Sequence, residues 1–302
     1  LNSRLRPDIV VLDEAQRIKT WNSLTAQSIK RLRSRHAFVL TGTPIENRID
    51  ELYSIVDFLD PTVLGPLFRF NRDYFTFDER GRPNGYRNLD KLRATLRPCM
   101  LRRRKVDVEN ELPSRNDRQL YVPLSESQRR HYAHHEQQAA GLISLSQRRS
   151  LLPREQDRLF RELAMMRMVC DTPYILTGDP DDPDDCPKLR ELDAVLATAL
   201  AEDGVKVIVF SEWIRMLELV RALLDRRRIG YGWHTGSVTQ SQRRTELLRF
   251  KNDPSCRVFL CSESGGVGLN LQNASIVINC DLPWNPAKYE QRVARAWRKH
   301  QT

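Results

Sequence analysis

The stretch Ile9-Val10-Val11-Leu12-Asp13-Glu14-Ala15-Gln16 joins a short apolar run to two adjacent carboxylates. Such a run predicts a buried strand of a parallel sheet. The strand delivers Asp13 and Glu14 to the C-terminal sheet edge, where open α/β sheets bind ligands. In nucleotide-hydrolysing proteins the first carboxylate serves Mg²⁺, and the second orients or deprotonates a water. A strand ending in Asp-Glu also arises by chance, so its meaning depends on the rest of the chain.

A phosphate-binding loop with the pattern Gly-x-x-x-x-Gly-Lys-Ser/Thr should precede such an acidic pair. Only residues 1–12 stand before Asp13, and the sequence contains no Gly-Lys dipeptide. We therefore expect an enzyme core that lacks its first part.

The chain of 302 residues is strongly basic, with a formal net charge of +10, and 40 of its 49 basic residues are arginine. Arginine binds phosphate through its planar fork, so this surplus favours a polyanionic partner. The alternative explanation of the arginine surplus is a generally arginine-rich composition, with the charges on solvated helix faces. With 40% hydrophobic residues, the length predicts about two domains.

The six cysteines form no Cys-x-x-Cys pair and no Cys/His spacing typical of a metal site. Cys261 and Cys280 lie in apolar runs, which predicts buried free thiols and a reducing compartment. No apolar run reaches the length of a membrane span, and the first residues have no signal-peptide core. These features predict a soluble, intracellular protein without a membrane partner.

Strand and helix signals alternate along two parts of the chain, which predicts parallel sheets. In the first part, the Asp-Glu strand is followed by a helix over 23–34, a strand over 37–40 and a helix that ends before Pro61. In the second part, the pattern predicts a helix with Ile214, Leu217, Val220 and Leu224 on one face. The other elements predicted there are strands over 205–210, 230–234, 258–261 and 275–279, a helix over 240–251, and a last helix opened by Asn285-Pro286.

The periodicity weakens between these two parts. The aromatic residues, prolines and glycines of 71–86 predict an irregular insertion, and residues 125–170 predict long charged helices. The acidic segment 178–185 predicts a linker or an exposed loop. The predicted fold class is α/β, with two parallel-sheet lobes, the first of them partial, joined by a helical and irregular insertion. The predicted domains are 1–62 for lobe one, 63–187 for the insertion and linker, and 188–302 for lobe two.

Two further patterns indicate phosphate chemistry. Gln291, Arg295 and Arg298 follow a helical spacing of i, i+4 and i+7, which predicts one face with an amide and two guanidinium groups. Such arginines stabilise the charge that develops on a transferred phosphoryl group, although a solvated basic face has the same pattern. The glycine-rich segment 262–271 follows an apolar strand and exposes backbone N–H groups to a phosphate chain.

In this order and combination, the motifs resemble those of the Swi/Snf-type ATPases, the double-stranded-DNA translocases of helicase superfamily two. The resemblance spans essentially the whole chain. It rests on 13–16 as motif II, 40–47 as motif III, the family-specific segment 100–108 with Leu112-Pro113, the Cys-and-Pro helix end 168–173, 210–213 as motif IV, 262–271 as motif V, the Trp-Asn-Pro signature in 281–286, and 291–301 as motif VI.

The resemblance implies two RecA-like lobes with ATP in the cleft between them. It assigns Asp13 to Mg²⁺ through water, and Glu14 to positioning and activating the attacking water. It makes Arg295 and Arg298 the groups that reach the γ-phosphate from lobe two, counts Gln16 with the catalytic residues, and assigns nucleotide binding to Gly268, Asn270 and Gln291.

The same resemblance implies a monomeric core that contacts the backbone of double-stranded DNA, and DNA-bound proteins such as a nucleosome or a polymerase as further partners. The residues assigned to DNA are Thr41, Gly42, Ser211, Thr235, Gly236, Ser237, Ser262, Gly265, Gly266 and Trp284. For Trp284, core packing is the alternative to a coupling role near DNA. For the basic cluster 102–105, a surface loop is the alternative to a brace between the lobes. The implied location is the cytoplasm or nucleoid of a prokaryote, or the nucleus of a eukaryote.

The sequence departs from the family pattern at three places. Gln16 stands where many members carry His, Thr235 precedes Gly236 where an acid is common, and Trp297, Lys299 and His300 replace the usual residues around the second arginine. Two other functional classes stay open, a nucleic-acid-binding scaffold that does not hydrolyse ATP and a strand-separating helicase. We expect residues 1–302 alone to be inactive in ATP turnover, because no phosphate-loop lysine is present.

Overall fold

The computed structural model describes residues 6–42, 45, 48–79, 81–103, 113–178, 186–262 and 269–298. The chain divides into two compact units, unit 1 over 1–110 and unit 2 over 111–302. The predicted domain boundaries at 62/63 and 187/188 stay a prediction. The α/β fold class with parallel sheets is confirmed.

Unit 1 contains a pair of parallel strands, β1 (Ile9–Leu12) and β2 (His36–Val39). A short 3-10 helix (Ala15–Ile18) and helix α1 (Leu24–Lys30) connect them, and α2 (Ile49–Leu59) follows. One face of the pair packs through Leu12 and Val39 on a cluster that includes Ile55. On the other face, Ile9, Val11, Phe38 and Leu40 are each more than half exposed. The prediction of a buried strand is therefore wrong for the described residues, because none of their elements covers this face.

The aromatic region of unit 1 is more regular than predicted. It forms α3 (Pro61–Leu64), α4 (Leu67–Tyr74), a hairpin of β3 (Phe75–Phe77) and β4 (Pro83–Tyr86), and α5 (Leu89–Leu96). Phe70 lies at the centre, with ring centroids 5.1 Å from Tyr53 and 5.0 Å from Tyr74. The predicted irregular insertion is wrong here, because these rings form a core of their own.

Unit 2 begins with a helical hairpin of α6 (Glu126–Arg148) and α7 (Pro153–Asp171), followed by the short α8 (Tyr174–Thr177). Ser125 and Gln128 form a capping box at the start of α6. The Gln128 amide also donates to the Val169 carbonyl oxygen at 2.8 Å, which fixes the start of α6 against the end of α7. Among the described helices, none has the length and apolar character that a bilayer crossing requires.

The second part of unit 2 alternates strands and helices. In chain order it contains α9 (Pro187–Leu200), β5 (Val207–Ser211), α10 (Ile214–Arg226), β6 (Gly230–His234), α11 (Gln240–Asn252), β7 (Cys256–Ser262), β8 (Ile276–Asn279) and α12 (Pro286–Val293). The strands pair in parallel in the order β6-β7-β5-β8.

The two central strands, β5 and β7, form the core of this sheet, because their apolar side chains are buried on both faces. Helix α10 buries Leu217, Val220 and Leu224 as predicted, but Ile214 in its first turn is exposed. Cys261 and Cys280 are buried free thiols, as predicted, whereas Cys99 in unit 1 is exposed.

Candidate functional site

The acidic turn at the end of β1 has an unusual backbone. Glu14 lies in the left-handed region, with φ 51° and ψ 46°, a conformation that costs a non-glycine residue about 1 kcal/mol or more. The Asp13 carboxylate accepts a hydrogen bond from the Glu14 N–H at 2.8 Å. The Ala15 N–H donates to the carbonyl oxygen of Leu40 at 3.2 Å. The turn is therefore held to the end of β2, and strain of this kind concentrates at functional sites.

A chain of side-chain hydrogen bonds crosses this edge of unit 1. The Gln16 amide donates to Glu14 Oε2 at 2.6 Å, and the Thr41 hydroxyl donates to Gln16 Oε1 at 2.7 Å. Gln16 thus links the acidic turn to the residue that follows β2, with Gly42 next in the chain. Three of the residues predicted to be functional are brought into direct contact, and we call them the Glu14–Gln16–Thr41 relay.

The Asp13 carboxylate fits a hydrated magnesium ion. Its Oδ1 accepts the bond from Glu14, while the structure gives Oδ2 no partner among the described residues and leaves the side chain exposed. Mg²⁺ keeps several of its waters and commonly uses one or two carboxylates. The described residues contain no group of three or more His, Cys, Asp or Glu side chains that could form an all-protein metal cage.

In unit 2 the strand ends carry a buried polar network. Ser211 at the end of β5 donates from Oγ to Asp281 Oδ2 at 2.6 Å, and the Glu212 N–H donates to the same oxygen at 2.9 Å. The guanidinium of Arg292 lies 3.3 Å from Asp281 Oδ1 and is 4% exposed at its side chain. Sequence reasoning missed Arg292. The available signal was the aspartate at the end of an apolar run, which needs a cationic partner when it is buried.

The residues predicted to contact DNA in unit 2 differ in accessibility. The side chains of Ser211, Thr235 and Ser262 are buried, so none of them presents its hydroxyl at the described surface. Thr235 shares a 2.9 Å hydrogen bond with Ser237, and Arg243 donates to the carbonyl oxygen of Gly236 at 2.8 Å. Phosphate contact at this loop would therefore involve its backbone or Ser237. Gly265, Gly266 and Gly268 lie outside the described residues, and all these assignments stay predictions.

The two arginines of the last motif do not share a helix with Gln291, and this corrects the predicted helical face. Helix α12 ends at Val293, and the backbone continues in a turn in which Arg295 N–H bonds to the Arg292 carbonyl oxygen. The Arg295 carbonyl oxygen accepts from the Leu271 N–H at 2.9 Å. Arg298 Nε donates to the Ala294 carbonyl oxygen at 3.0 Å. We call residues 294–298 the arginine turn.

The arginine turn lies next to the end of β7. Burial raises the pKa of the Cys261 thiol to about 12, and the positive charge of Arg295 acts against that rise. Asn270, another predicted nucleotide-binding residue, donates to Gln272 Oε1 at 3.3 Å. The charge of Arg295 and the segment after the glycine-rich loop are therefore together at the C-terminal edge of the sheet.

Trp284 is 70% exposed, so the core-packing alternative is wrong for this residue. Arg167 of α7 lies over its ring, with Cζ 5.1 Å from the centroid, and also over the ring of Trp213 at 5.9 Å. Arg167 Nη2 donates to Glu212 Oε2 at 2.8 Å and to the Leu282 carbonyl oxygen at 2.7 Å. Sequence reasoning missed Arg167, which connects the helical hairpin to the Trp284 loop.

A second buried pair lies at the end of α7. Lys188 Nζ bonds to Asp171 Oδ1, and also donates to the Cys280 carbonyl oxygen at 2.9 Å. Burial raises the pKa of Asp171 to about 7, although the charge of Lys188 opposes that rise. The pair attaches the predicted Cys-and-Pro helix end to the sheet.

Two models of known protein families match successive parts of the chain. Residues 2–175 match the SNF2-related domain, and residues 187–300 match the helicase conserved C-terminal domain. The chain belongs to the SNF2-related family. The predicted resemblance is thereby confirmed. The relatives and solved structures that the chain resembles are named as helicases, regulators of chromatin and SWI2/SNF2 ATPases.

Two relatives illustrate the range of SNF2-related proteins that this chain resembles. It is 31% identical over 312 residues to chromodomain-helicase-DNA-binding protein 8 of Xenopus tropicalis. It is also 31% identical over 301 residues to human SWI/SNF-related matrix-associated actin-dependent regulator of chromatin subfamily A member 1. Each match covers 96% of this chain, which spans 14% of the first relative and 28% of the second.

Solved structures of SNF2-related proteins agree with the fold. The Sulfolobus solfataricus SWI2/SNF2 ATPase core in complex with double-stranded DNA aligns with a TM-score of 0.53 at 27% identity, and covers 97% of this chain and 62% of that structure. The C-terminal part of the Fun30 ATPase domain aligns with a TM-score of 0.51 at 18% identity, over 63% of this chain and 83% of that structure. The second likeness concerns the fold alone, and both support RecA-like lobes.

Proposed function

We propose that this chain supplies the ATPase machinery of an enzyme that translocates along double-stranded DNA and remodels protein–DNA complexes. The Glu14–Gln16–Thr41 relay is the observation that carries the proposal. It joins a carboxylate suited to activating water to Thr41, whose hydroxyl would exchange its bond to Gln16 for a bond to a DNA phosphate. Movement of the DNA contact would therefore alter the position of the catalytic carboxylate.

Each part of the ATP reaction has a proposed residue. Asp13 holds Mg²⁺ through water, and Glu14 orients and deprotonates the attacking water while Gln16 fixes its carboxylate. When bound, Mg²⁺ neutralises charge on the phosphates. Arg295 and Arg298 stabilise the charge that develops on the γ-phosphate, for which Arg298 must exchange its present backbone bond to Ala294. Gly268, Asn270 and Gln291 bind the nucleotide.

The proposed DNA contacts hold the backbone without reading bases, because hydroxyl and N–H donors recognise phosphate in any sequence. Thr41, Gly42, Gly236 and Ser237 are the described candidates at the strand ends, and Trp284 offers an exposed ring. The net charge of +10 supports a polyanionic partner. Nucleosomes or other DNA-bound proteins are the proposed targets, and in a eukaryotic host the nucleus is the proposed location.

The direct test is DNA-stimulated ATP hydrolysis by the full-length gene product. Glu14→Gln should lower kcat by at least about a hundredfold, because it removes the base without removing the contact to Gln16. Glu79→Gln changes an exposed glutamate of unit 1 and is the matched control. Equal activity of the two variants would contradict the assignment of Glu14.

The polypeptide 1–302 should not hydrolyse ATP by itself, because it contains no Gly-Lys dipeptide that could form a phosphate loop. DNA-stimulated turnover by this polypeptide would contradict that expectation. A forked-duplex assay separates translocation from strand separation, since a translocase displaces no strand from the fork.

A further inference from the structure

Arg115 forms an unusually complete set of contacts with the region around the arginine turn. Its Nη1 and Nη2 donate to the two carboxylate oxygens of Glu290 at 2.7 and 3.1 Å. Its Nε donates to Asp117 at 2.9 Å. The guanidinium also lies over two rings, with Cζ 5.9 Å from the centroid of Tyr289 and 5.5 Å from that of Trp297.

A second contact connects the same two segments. The indole N–H of Trp297 donates to the carbonyl oxygen of Pro113 at 2.9 Å. Segment 113–117 is therefore attached at two positions, Pro113 and Arg115. We call this set of contacts the Arg115 clamp.

The clamp contacts the arginine turn at Trp297 and the helix before it at Glu290. Glu290 lies in α12, immediately before Gln291, and Trp297 stands between Ala296 and Arg298. Arg115 thus contacts the residues that precede and follow Arg295 without contacting a nucleotide-binding group itself. Trp297 replaces the usual family residue, and both of its contacts use the tryptophan side chain. Arg115 lies over its ring, and its indole N–H donates to Pro113.

The contacts are strong enough to fix a short turn. A bidentate arginine–carboxylate pair has a defined geometry that a single charge contact lacks. The side chain of Arg115 is 19% exposed and that of Glu290 is 57% exposed, so solvent screens the charge attraction in part and the two parallel hydrogen bonds define the contact. Hydrogen bonds to Glu290 and Asp117 raise the pKa of Arg115 above its ordinary value, so the clamp holds its charge at every physiological pH.

We propose that Arg115 is a positioning residue for ATP hydrolysis, which holds the arginine turn in the geometry that Arg295 and Arg298 need at the γ-phosphate. The inference rests on the proposed function and adds a residue to it. An arginine displaced by about 1 Å from its productive position can lose a large part of its catalytic effect. The segment 113–117 begins at Pro113 of the family-specific motif, and the clamp connects it to the proposed catalytic arginines.

The first experiment tests the clamp without requiring activity. The protein has five tryptophans, so ¹⁵N-indole labelling of the polypeptide 1–302 yields few signals, and Trp297→Phe identifies the one from Trp297. Arg115→Ala should shift that signal, whereas Arg118→Ala should leave it in place. Arg118 is exposed directly after segment 113–117 and makes no side-chain hydrogen bond or ion pair among the described residues. An unmoved signal in Arg115→Ala overturns the clamp.

The second experiment tests positioning in the full-length gene product. Arg115→Ala should lower DNA-stimulated kcat by about tenfold with KM for ATP changed by less than about twofold, because the ground-state phosphate contacts remain. Arg115→Lys should restore only part of kcat, since lysine cannot form the bidentate pair. The double variant with Trp297→Phe should cost no more than Arg115→Ala alone, as expected for residues that act as a unit.

The outcomes separate the clamp from the proposed function. If the unsubstituted protein hydrolyses ATP and Arg115→Ala matches Arg118→Ala in kcat, the positioning role is overturned. If kcat falls only in proportion to the folded fraction measured by circular dichroism, the role is structural and the inference is overturned as well. If the unsubstituted protein hydrolyses no ATP, the proposed function fails and the positioning role fails with it, while the indole signal still reports whether the clamp exists.

Discussion

Ser211 and Asp281 are joined by a 2.6 Å hydrogen bond between the ends of the neighbouring strands β5 and β8. The same carboxylate pairs with Arg292, so the strand ends and α12 share one buried charge network. Removal of one partner of a buried ion pair leaves an uncompensated charge, which typically costs 3–5 kcal/mol, whereas an exposed arginine contributes little.

We therefore expect Arg292→Met to lower the free energy of unfolding by about 3 kcal/mol or more, measured by urea denaturation of the polypeptide 1–302. Arg244→Met replaces an exposed arginine of α11 and should change the value by less than about 0.5 kcal/mol. Similar losses in the two variants would contradict the importance of the Asp281 pair.

The stability of the protein should depend on pH through Asp171. Its pKa in the folded state is raised to about 7, whereas an unfolded aspartate has a value near 3.8. Between these values the folded state keeps a proton that the unfolded state has released. The contribution of Asp171 to stability is therefore complete below about pH 4 and is lost as the pH rises to about 7.

Asp171→Asn should remove this dependence. The free energy of unfolding should fall less steeply between about pH 5 and about pH 7 in the variant, by up to about 1.4 kcal/mol per pH unit. Asp203→Asn, at an exposed position of unit 2, should keep the slope of the unsubstituted protein. Parallel curves for Asp171→Asn and Asp203→Asn would show that Asp171 is ionised in the fold.

The Glu14–Gln16–Thr41 relay predicts a coupling defect. Thr41→Val keeps the shape of the side chain but removes the hydroxyl that donates to Gln16. In the full-length gene product, DNA-stimulated kcat should fall by about tenfold, and DNA affinity should fall much less. Thr95→Val is the control, because that hydroxyl bonds only within its own helix, to Lys91. A loss of affinity as large as the loss of kcat would instead assign Thr41 to binding alone.

The stacking of Arg167 on Trp284 predicts that the two residues act together on DNA. Arg167→Ala should weaken binding of a mixed-sequence duplex by about fivefold to tenfold, because it removes a positive charge beside the exposed Trp284 ring. Trp284→Ala should have a similar effect, and the double variant should be little weaker than either. Arg161→Ala, at an exposed position of the same helix, should bind as the unsubstituted protein does. Additive losses in the double variant would indicate two independent contacts.

DNA binding itself should be sensitive to salt and insensitive to sequence. The proposed contacts neutralise phosphates, so affinity should fall by more than about tenfold between about 50 and about 200 mM salt. Two duplexes of the same length and unrelated sequence should bind within about threefold of each other. A sequence-selective affinity that salt does not change would contradict backbone recognition.

Much of the fold could be predicted from local pattern. The strand over 230–234 has the predicted bounds, and the helix predicted over 240–251 ends one residue later, at Asn252. The aromatic region 71–86 could not be predicted in this way, because its strands are too short for periodicity to separate them from loop. They pack in a core that also contains Tyr53 of α2, whose ring contacts Phe70 from an earlier part of the chain.

The candidate site also contains residues that the sequence predicts correctly and residues whose arrangement it does not predict. Asp13, Glu14 and Gln16 could be found from the sequence, because an apolar strand followed by polar residues is a local signal. The helical spacing of Arg295 and Arg298 was a misleading signal, since α12 ends at Val293 before either of them. The carbonyl oxygens after the end of a helix need hydrogen-bond donors from elsewhere in the fold. Here the Leu271 N–H donates to the carbonyl oxygen of Arg295, a contact that the local sequence does not reveal.

The sequence by itself determined the family, the order of the elements and the positions of the acidic turn and the two arginines, because these are written in short motifs. Only the tertiary structure decided which charged groups pair. Arg292 lies 11 positions from Asp281, Lys188 lies 17 from Asp171, and Arg115 lies 175 from Glu290. An ion pair depends on distance in space and on exclusion of water, and neither quantity is set by spacing along the chain.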